Sequence, residues 1–475
     1  MTMHTDSIPA FAVVGRPNKG KSSIVATLAR DDSVHIAAKA GSTQAMRRFP
    51  MQIDGETLYE LIDTPGLQRA RSVLAWLQDH NDNAASRADT VREFLAAHAQ
   101  DPQYRYECEA LAPIMDGAGI IYVVDGSHPF GADYEAEMEI LRWTGRPSLA
   151  LINPIDSTDF VDEWTAGLGQ YFQTVRTFDA HRAEHRKQLD LLALFGHLDP
   201  EWQQPLKRAV EVLEADRASQ HENSAYLIGD LVCEALTYSA SQKIPEGAPE
   251  APVKAVLARQ YKHHLDSAEK RCRRQVEELF YYTDLQTSEN RLALEDDDLF
   301  NQQNWYLWGL SEKQLLLAAT SAGGLVGGGA GLVIDGATGG LTGGLGTLIT
   351  GIGGAFTARR QVRKHADEIA QWKVSGVPSG GTELAYGPSR NANFPFVVMG
   401  RALQHHRGIS LRTHAVRDTL KLEEPALEWL DDKQRRQLAK IFDDIRNERK
   451  ADQQRAALAS LLAQWCRDVD QGSNK

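Results

Sequence analysis

At 475 residues and 42% apolar composition, the chain can bury more than one core, which sets an expectation of two or three domains. Its net charge of -12 argues against a polyanion as the main partner, so nucleic acid is not indicated. Cys108, Cys233, Cys272 and Cys466 are scattered with no C-x-x-C pair, and no signal peptide precedes Phe11; disulfides and structural zinc are not expected, and the compartment reads as the reducing cytoplasm.

A strand is expected over the apolar run Ala10-Phe11-Ala12-Val13-Val14. It runs into Gly15-Arg16-Pro17-Asn18-Lys19-Gly20-Lys21-Ser22, which fills every position of a G-x-x-x-x-G-K-[ST] phosphate loop. The two glycines let the backbone wrap round phosphates with successive N–H groups inward, and the helix expected from Lys21 through Ala29 adds the positive end of its dipole. The expected ligand is a nucleoside triphosphate. Lys21 reaches the β- and γ-phosphates and Ser22 ligates Mg²⁺, while Gly15, Pro17, Asn18, Lys19, Gly20 and Ser23 complete the binding loop. The bland alternative, a chance glycine loop on a β–α turn, leaves the flanking strand and helix unexplained.

Next in the chain, Ala40-Gly41-Ser42-Thr43 offers a hydroxyl that closes over Mg²⁺ when the γ-phosphate is present, which makes Thr43 a metal and catalytic candidate. Met51-Gln52-Ile53 and Leu58-Tyr59-Glu60-Leu61-Ile62 flank Asp54-Gly55 and read as a hairpin. The second strand delivers Asp63-Thr64-Pro65-Gly66, where a carboxylate holds the Mg²⁺ water shell and the Gly66 N–H senses the γ-phosphate.

Residues 67–115 look like an insertion, polar and helical from Arg69 to Gln100. Buried-type strands follow at Ile120–Val124 and Leu149–Ile152. The second leads into Asn153-Pro154-Ile155-Asp156. A carboxylate there accepts both the ring N–H and the exocyclic amine of guanine, a donor pair adenine lacks, so the spacing favours GTP over ATP. An Asn and an Asp after a strand are also ordinary turn formers.

Beyond Pro200 the pattern turns helical. Leu257, Tyr261, Leu265, Ala268, Cys272, Val276 and Leu279 recur at steps of three and four, one apolar stripe on a long helix whose other face carries Lys270-Arg271 and Arg273-Arg274 as a solvated surface. The pairs His263-His264 and His405-His406 cannot each face one metal from a helix, so packing or surface roles are expected. Between Leu315 and Ala358 the only charge is Asp335, and Gly323, Gly327 and Gly331 before it, like Gly336, Gly340 and Gly344 after it, repeat every fourth position. A tight helical hairpin follows, with small-residue faces, and each half has about the 20 residues needed to cross a bilayer. Lys313, Arg359, Arg360, Arg363 and Lys364 flank its outer ends. Membrane contact and a buried or oligomer-forming hairpin both remain open, because the glycines lower helix propensity in water. Residues 377–395, rich in Gly, Pro and Ser, read as a linker.

The fold expected is thus α/β: a P-loop NTPase domain with a mostly parallel sheet over 1–200, a helical domain with the Gly-rich hairpin over 201–376, and a helical region over 396–475. Residues 8 to 195 resemble the Era and TrmE branch of the translation-factor GTPases, whose phosphate loop reads G-x-P-N-x-G-K-S and whose second motif reads D-T-P-G, both present here. By that resemblance Thr43 matches the second threonine of P-G-T-T-R, with Ser42, Gln44 and Ala45 replacing its neighbours. The family's N-K-x-D becomes Asn153-Pro154-Ile155-Asp156, without the lysine that covers the base. Its last motif, S-A-K or S-A-L, corresponds to Phe178-Asp179-Ala180-His181 with only Ala180 retained as a nucleotide contact. Asn18 matches the asparagine that helps hold K⁺ in the potassium-activated members. Leu67 stands where Ras-like proteins place the water-orienting glutamine, which implies slow intrinsic hydrolysis that uses another group, such as Gln68 or a residue of the insertion. The whole layout also looks like a bacterial family of Era-like GTPases with an uncharacterised C-terminal helical region.

These residues point to a GTPase switch, with GTP and GDP as ligands and Mg²⁺ as cofactor; the resemblance implies K⁺ as a second cofactor, and a homodimer through the GTPase domain is expected. The hairpin 315–358 would set it at the cytoplasmic face of the inner membrane. The rival readings are a dynamin-like membrane-acting GTPase and a nucleotide-binding scaffold with negligible hydrolysis.

Overall fold

The computed structural model describes residues 8–34, 45–283, 285, 382–420, 427 and 429–470. Thr43 and the Gly-rich stretch 315–358 lie outside the described residues. The chain divides into two units: Met1–Gln220 with Phe280–Gln286 and Ser410–Thr419, and the remainder.

In the first unit the elements run β1 (Ala10–Val14), α1 (Lys21–Ala29), β2 (Arg47–Ile53), β3 (Glu56–Asp63), α2 (Ala70–Asp79), α3 (Arg87–His98), α4 (Arg105–Met115), β4 (Gly119–Asp125), α5 (Glu135–Trp143), β5 (Ser148–Asn153), α6 (Val161–Leu168), β6 (Val175–Thr177), α7 (His185–Gly196) and the start of α8 (Pro200–Thr237). The strands form one sheet in the order β2-β3-β1-β4-β5-β6. Only β2 and β3 pair antiparallel, through the turn at Asp54-Gly55 that the sequence announces.

Strands this apolar need cover on both faces, and period-2 alternation assigns each side chain to one of two layers. Phe11, Val13, Ile121, Val123, Leu149 and Leu151 pack with α1, α7 and the first turns of α8. Ala12, Val14, Ile120, Tyr122, Val124, Ala150 and Ile152 pack with α2 to α6. The insertion expected over 67–115 is therefore no appendage. Its Val73, Leu77, Val91, Phe94, Leu111 and Ile114 are all fully buried in the second layer. The domain boundary expected at residue 200 is likewise displaced to Gln220, because Trp202, Leu206, Ala209 and Leu213 of α8 complete the first layer.

Two segments distant in sequence also belong to this unit, and one carboxylate gathers them. Asp32, after α1, faces His414 Nδ1 at 2.8 Å and accepts from Arg417 Nη1 at 3.3 Å and the Thr283 N–H at 3.2 Å. Tyr282 stacks on His414 and donates to Arg412 O at 2.7 Å. Although burial opposes its charge, His414, the Thr283 N–H and Arg417 hold the Asp32 carboxyl below the usual carboxylate range.

The second unit contains the rest of α8, β7 (Ala240–Ile244), α9 (Glu250–Leu279), β8 (Thr382–Tyr386) and the helices Phe394–Leu411, Asp432–Arg446 and Ala451–Asp468, the first of which ends in the other unit. β8 lies within the stretch 377–395 expected to be a linker; it pairs antiparallel with β7 from Ala240↔Tyr386 to Ile244↔Thr382. The expected α9 stripe is buried from Leu257 to Val276, with Leu279 only partly so. Glu269 and Glu277 join it, each with a partner: Arg401 and Arg273 reach Glu269 at 2.7 and 2.6 Å, and His405 lies 2.9 Å from Glu277. Arg273 thus leaves the solvated face expected of it, while Lys270, Arg271 and Arg274 remain exposed. His406 faces His221 at 3.3 Å, a packing role. Among the described residues no His, Cys, Asp and Glu cluster is arranged to hold a metal, and no helix is long and apolar enough to cross a membrane.

Asp32→Ala should lower the unfolding free energy by on the order of 2 kcal/mol, because it strips buried His414 of its carboxylate and removes the acceptor that Thr283 and Arg417 share. The wild-type advantage should be present at neutral pH and fade as acid protonates Asp32, whose folded-state pKa is depressed. Urea denaturation at pH 7 and near pH 2.5 measures both, since the loss sets in only below the ordinary carboxylate value of about 3.9; a change under about 0.5 kcal/mol at pH 7 refutes the anchoring role.

Candidate phosphate-binding site

β1 delivers the phosphate loop into a space that allows no side chain at two points. A Cβ on Gly15, at φ +140°, would lie 2.3 Å from Val123 O, and one on Gly20, at φ +83°, 2.0 Å from Asn153 Nδ2. Asn18 adopts φ 61°, a left-handed conformation that asparagine tolerates better than most residues, and its side chain is exposed. Pro17, Lys19 and Ser22 are partly buried and Ser23 is buried.

Lys21 opens α1 and is only 6% exposed. Its Nζ donates back to Arg16 O at 2.9 Å. Burial pulls the ammonium down to about 8, against the opposing pull of Asp63 and Glu137. Beside it, Ser22 Oγ donates to Asp63 Oδ2 at 2.8 Å. The second motif lies against the first: a Cβ on Gly66, at φ +82°, would be 2.2 Å from Gly15 O and 3.3 Å from Lys21 Nζ. Gly15, Lys21, Ser22, Asp63 and Gly66 thus converge on one spot. A hydroxyl beside a carboxylate offers the hard oxygen donors that Mg²⁺ takes, so the residues present fit that ion.

The side of the loop toward β5 is fixed by Asn153. It is buried, its Nδ2 donates to Lys19 O at 3.4 Å, and its Oδ1 accepts from the Ala180 N–H at 3.2 Å. Asn153 and Ala180 therefore meet at the phosphate loop, while Asp156, three residues on, is solvent-exposed. Leu67 is 3% exposed and packs into the second core layer, so it cannot address a water at the loop; Gln68 next to it is exposed.

Several supports carried no sequence signal. Arg16 Nε donates to Glu137 Oε1 at 2.6 Å across 121 residues, with the Tyr122 hydroxyl on the other oxygen at 3.1 Å and the guanidinium 3.9 Å from the Tyr134 ring centroid. Burial pushes the Glu137 carboxyl up, opposed by Arg16 and Tyr122. Lys19 Nζ meets Asp125 Oδ2 at 3.3 Å, and the Ala180 carbonyl accepts hydroxyls from Thr27 and Thr413, both at 2.8 Å. The one hint available in sequence is Glu137 itself, an acid set among Ala136, Met138, Ile140 and Leu141.

Comparison with known proteins agrees with this geometry. A family model described as 50S ribosome-binding GTPase matches residues 10–153, and one described as Domain of unknown function (DUF3482) matches residues 166–464. GTPase Der of Rhodopirellula baltica is 38% identical over 96 residues, 19% of this chain and 21% of that protein. GTPase Der of Prochlorococcus marinus is 26% identical over 207 residues, 42% of this chain and 39% of that protein. The tRNA modification GTPase MnmE of Listeria innocua is 28% identical over 155 residues, 32% of this chain and 31% of that protein. The chain therefore spans between about a fifth and two fifths of the length of these relatives. A solved structure, a single-residue variant of Aquifex aeolicus Era bound to GDP·AlF₄⁻, aligns at 15% identity with a TM-score of 0.28, over 57% of this chain and 88% of that one. The N-terminal unit is a P-loop GTPase domain homologous to those of Der and MnmE, and the chain, matched over most of its length, belongs to the DUF3482 family.

Proposed function

We propose that this protein binds GTP with Mg²⁺ and hydrolyses it to GDP and phosphate as a nucleotide-dependent switch. The observation that carries the reading is the convergence of Lys21, the Ser22–Asp63 pair and Gly66 on the phosphate loop, in the order a γ-phosphate sensor requires. Lys21 would contact the β- and γ-phosphates. Ser22 and Asp63, with Thr43, would hold Mg²⁺, which neutralises phosphate charge when bound. Gly66 would meet the γ-phosphate through its N–H. Asn153 and Ala180 would shape the base pocket and Asp156 would select guanine.

Lys21→Ala should weaken GTP binding by roughly 100-fold or more, since it removes a charge-assisted contact from a desolvated site. The native lysine supplies a finer signature. With its ammonium at about 8 in the nucleotide-free site, a growing fraction is neutral above pH 8, and the triphosphate must recharge it. GTP binding near pH 8.5 should take up a proton, and affinity should fall as pH rises. Calorimetry in buffers of different ionisation enthalpy reads the uptake; a folded Lys21→Ala protein with unchanged affinity and proton exchange would remove this loop from the site.

Asp156→Asn should weaken GTP by roughly 10- to 100-fold and shift preference toward xanthosine triphosphate, whose carbonyl can face the new amide. Competition binding with the two nucleotides tests this, and an unshifted preference puts base recognition elsewhere.

With Leu67 turned into the core, hydrolysis must draw on other groups, and Asn18 would help hold K⁺ to offset charge developing on the β–γ bridge. Its left-handed φ explains an asparagine on conformational grounds alone, so salt dependence discriminates. Hydrolysis should run faster in potassium than in sodium at equal ionic strength, and Asn18→Ala should erase the difference while GTP binding persists. Equal rates in both salts across a range of protein concentrations exclude a potassium role.

A further inference from the structure

α4 places two carboxylates on the backbone that borders the nucleotide-sensing segments. Glu107 Oε1 accepts from the N–H of Gln68 at 2.9 Å and of Arg69 at 2.6 Å, the two residues that follow Leu67. Two positions along the same helix, Glu109 Oε2 accepts from the Met46 N–H at 2.9 Å, three residues after Thr43. Glu107 is fully buried, at 0% exposure, whereas Glu109 is partly exposed and also pairs with Arg105.

A helix such as α2 ordinarily has its first N–H groups satisfied by a local Ser, Thr, Asp or Asn. Here the residue before α2 is Arg69, which gives no side-chain cap. The acceptor comes instead from 38 residues away. Burying a carboxylate this completely is costly unless it is hydrogen-bonded, and the two N–H groups with the positive end of α2 compensate it through one oxygen. The other, Oε2, has no hydrogen-bond partner among the described residues. An arrangement selected for helix stability alone has a cheaper local solution; this one fixes the peptides just beyond Gly66 to a helix of the insertion.

We propose that Glu107 is a positioning residue for GTP hydrolysis: it sets the Gly66–Gln68 backbone against the phosphate loop, with Glu109 bracing Met46 from the same helix. The proposal rests on the GTPase reading above. Leu67 in the core and Glu107 on the next two amides hold both sides of the peptide that follows Gly66, so that the Gly66 N–H and the exposed Gln68 side chain are oriented before nucleotide arrives.

The test separates hydrolysis from binding, because GDP has no γ-phosphate for Gly66 to meet. Full-length Glu107→Ala should lower kcat at least tenfold while GDP affinity stays within about twofold of wild type. Glu107→Gln, which keeps an acceptor oxygen of the same reach, should restore most of the rate. Glu109→Ala, at a partly exposed position that leaves the core intact, should lower kcat in the same way if Glu107→Ala does not fold. Wild-type kcat in Glu107→Ala overturns the proposal, as does an equal loss of GDP and GTP affinity, which marks a purely structural cap; if Glu107→Ala does not fold, wild-type kcat in Glu109→Ala overturns it. A wild-type protein that neither binds nor hydrolyses GTP defeats the GTPase reading instead, so the two failures are distinguishable.

Discussion

The close approach of two backbone turns governs the site. β1 and β3 are parallel neighbours in register Val13↔Asp63, so the loops that leave their ends emerge side by side, a strand spacing of about 4.8 Å apart. At that distance one loop must present backbone to the other. Gly66 does so, where a Cβ would overlap Gly15 O, while Gly15 leaves room for Val123 O of β4, and Thr64 fastens the second turn by donating to Val13 O at 2.8 Å. Once the turns touch, Ser22 is within reach of Asp63 and Lys21 is covered. The depressed ammonium of Lys21 is a consequence of the same contact, since a lysine so enclosed loses water before it gains an anion.

The same logic operates one strand further. β4 and β5 pair in register Asp125↔Asn153, and both residues turn to Lys19, Asp125 to its ammonium and Asn153 to its carbonyl. Although burial opposes its charge, Ser127 and Lys19 hold Asp125 below the usual carboxylate range. The phosphate loop is thus braced from β3 on one side and from β4 and β5 on the other, at the C-terminal ends of the strands, where open α/β sheets bind ligands.

What could be read from sequence was whatever depends on short spacing. The phosphate loop, the Asp63–Gly66 turn, the Asp54-Gly55 hairpin and the α9 stripe are each specified within a few turns of chain, and the structure brings the first two together. The partners of Glu107, Glu137 and Asp32 were illegible because an acid carries no periodic signal of what it pairs with, and the partner sits 38, 121 or 382 residues away. β8 was missed for a different reason. Gly, Pro and Ser around it announce turns, and a strand of five residues whose register is set by β7, more than a hundred residues earlier, has too little pattern of its own to outweigh them. Arg273 shows the converse error, since a charged residue beside an apolar stripe reads as solvated unless its buried partner, here Glu269, is known.

The segment Ser410–Thr419 gives the DUF3482 region a physical stake in the nucleotide-binding unit. Thr413 shares the Ala180 carbonyl with Thr27, so the turn beside Asn153 is held from α1 and from a residue 233 positions later. Arg417 donates to Val34 O at 3.0 Å and to Asp32, at the entrance to the stretch that carries Thr43. The N-terminal end of this segment is continuous with the helix Phe394–Leu411, whose last residues belong to it. Any movement of Val34 or of the Ala180 turn must therefore either break these hydrogen bonds or carry the segment Ser410–Thr419 with it.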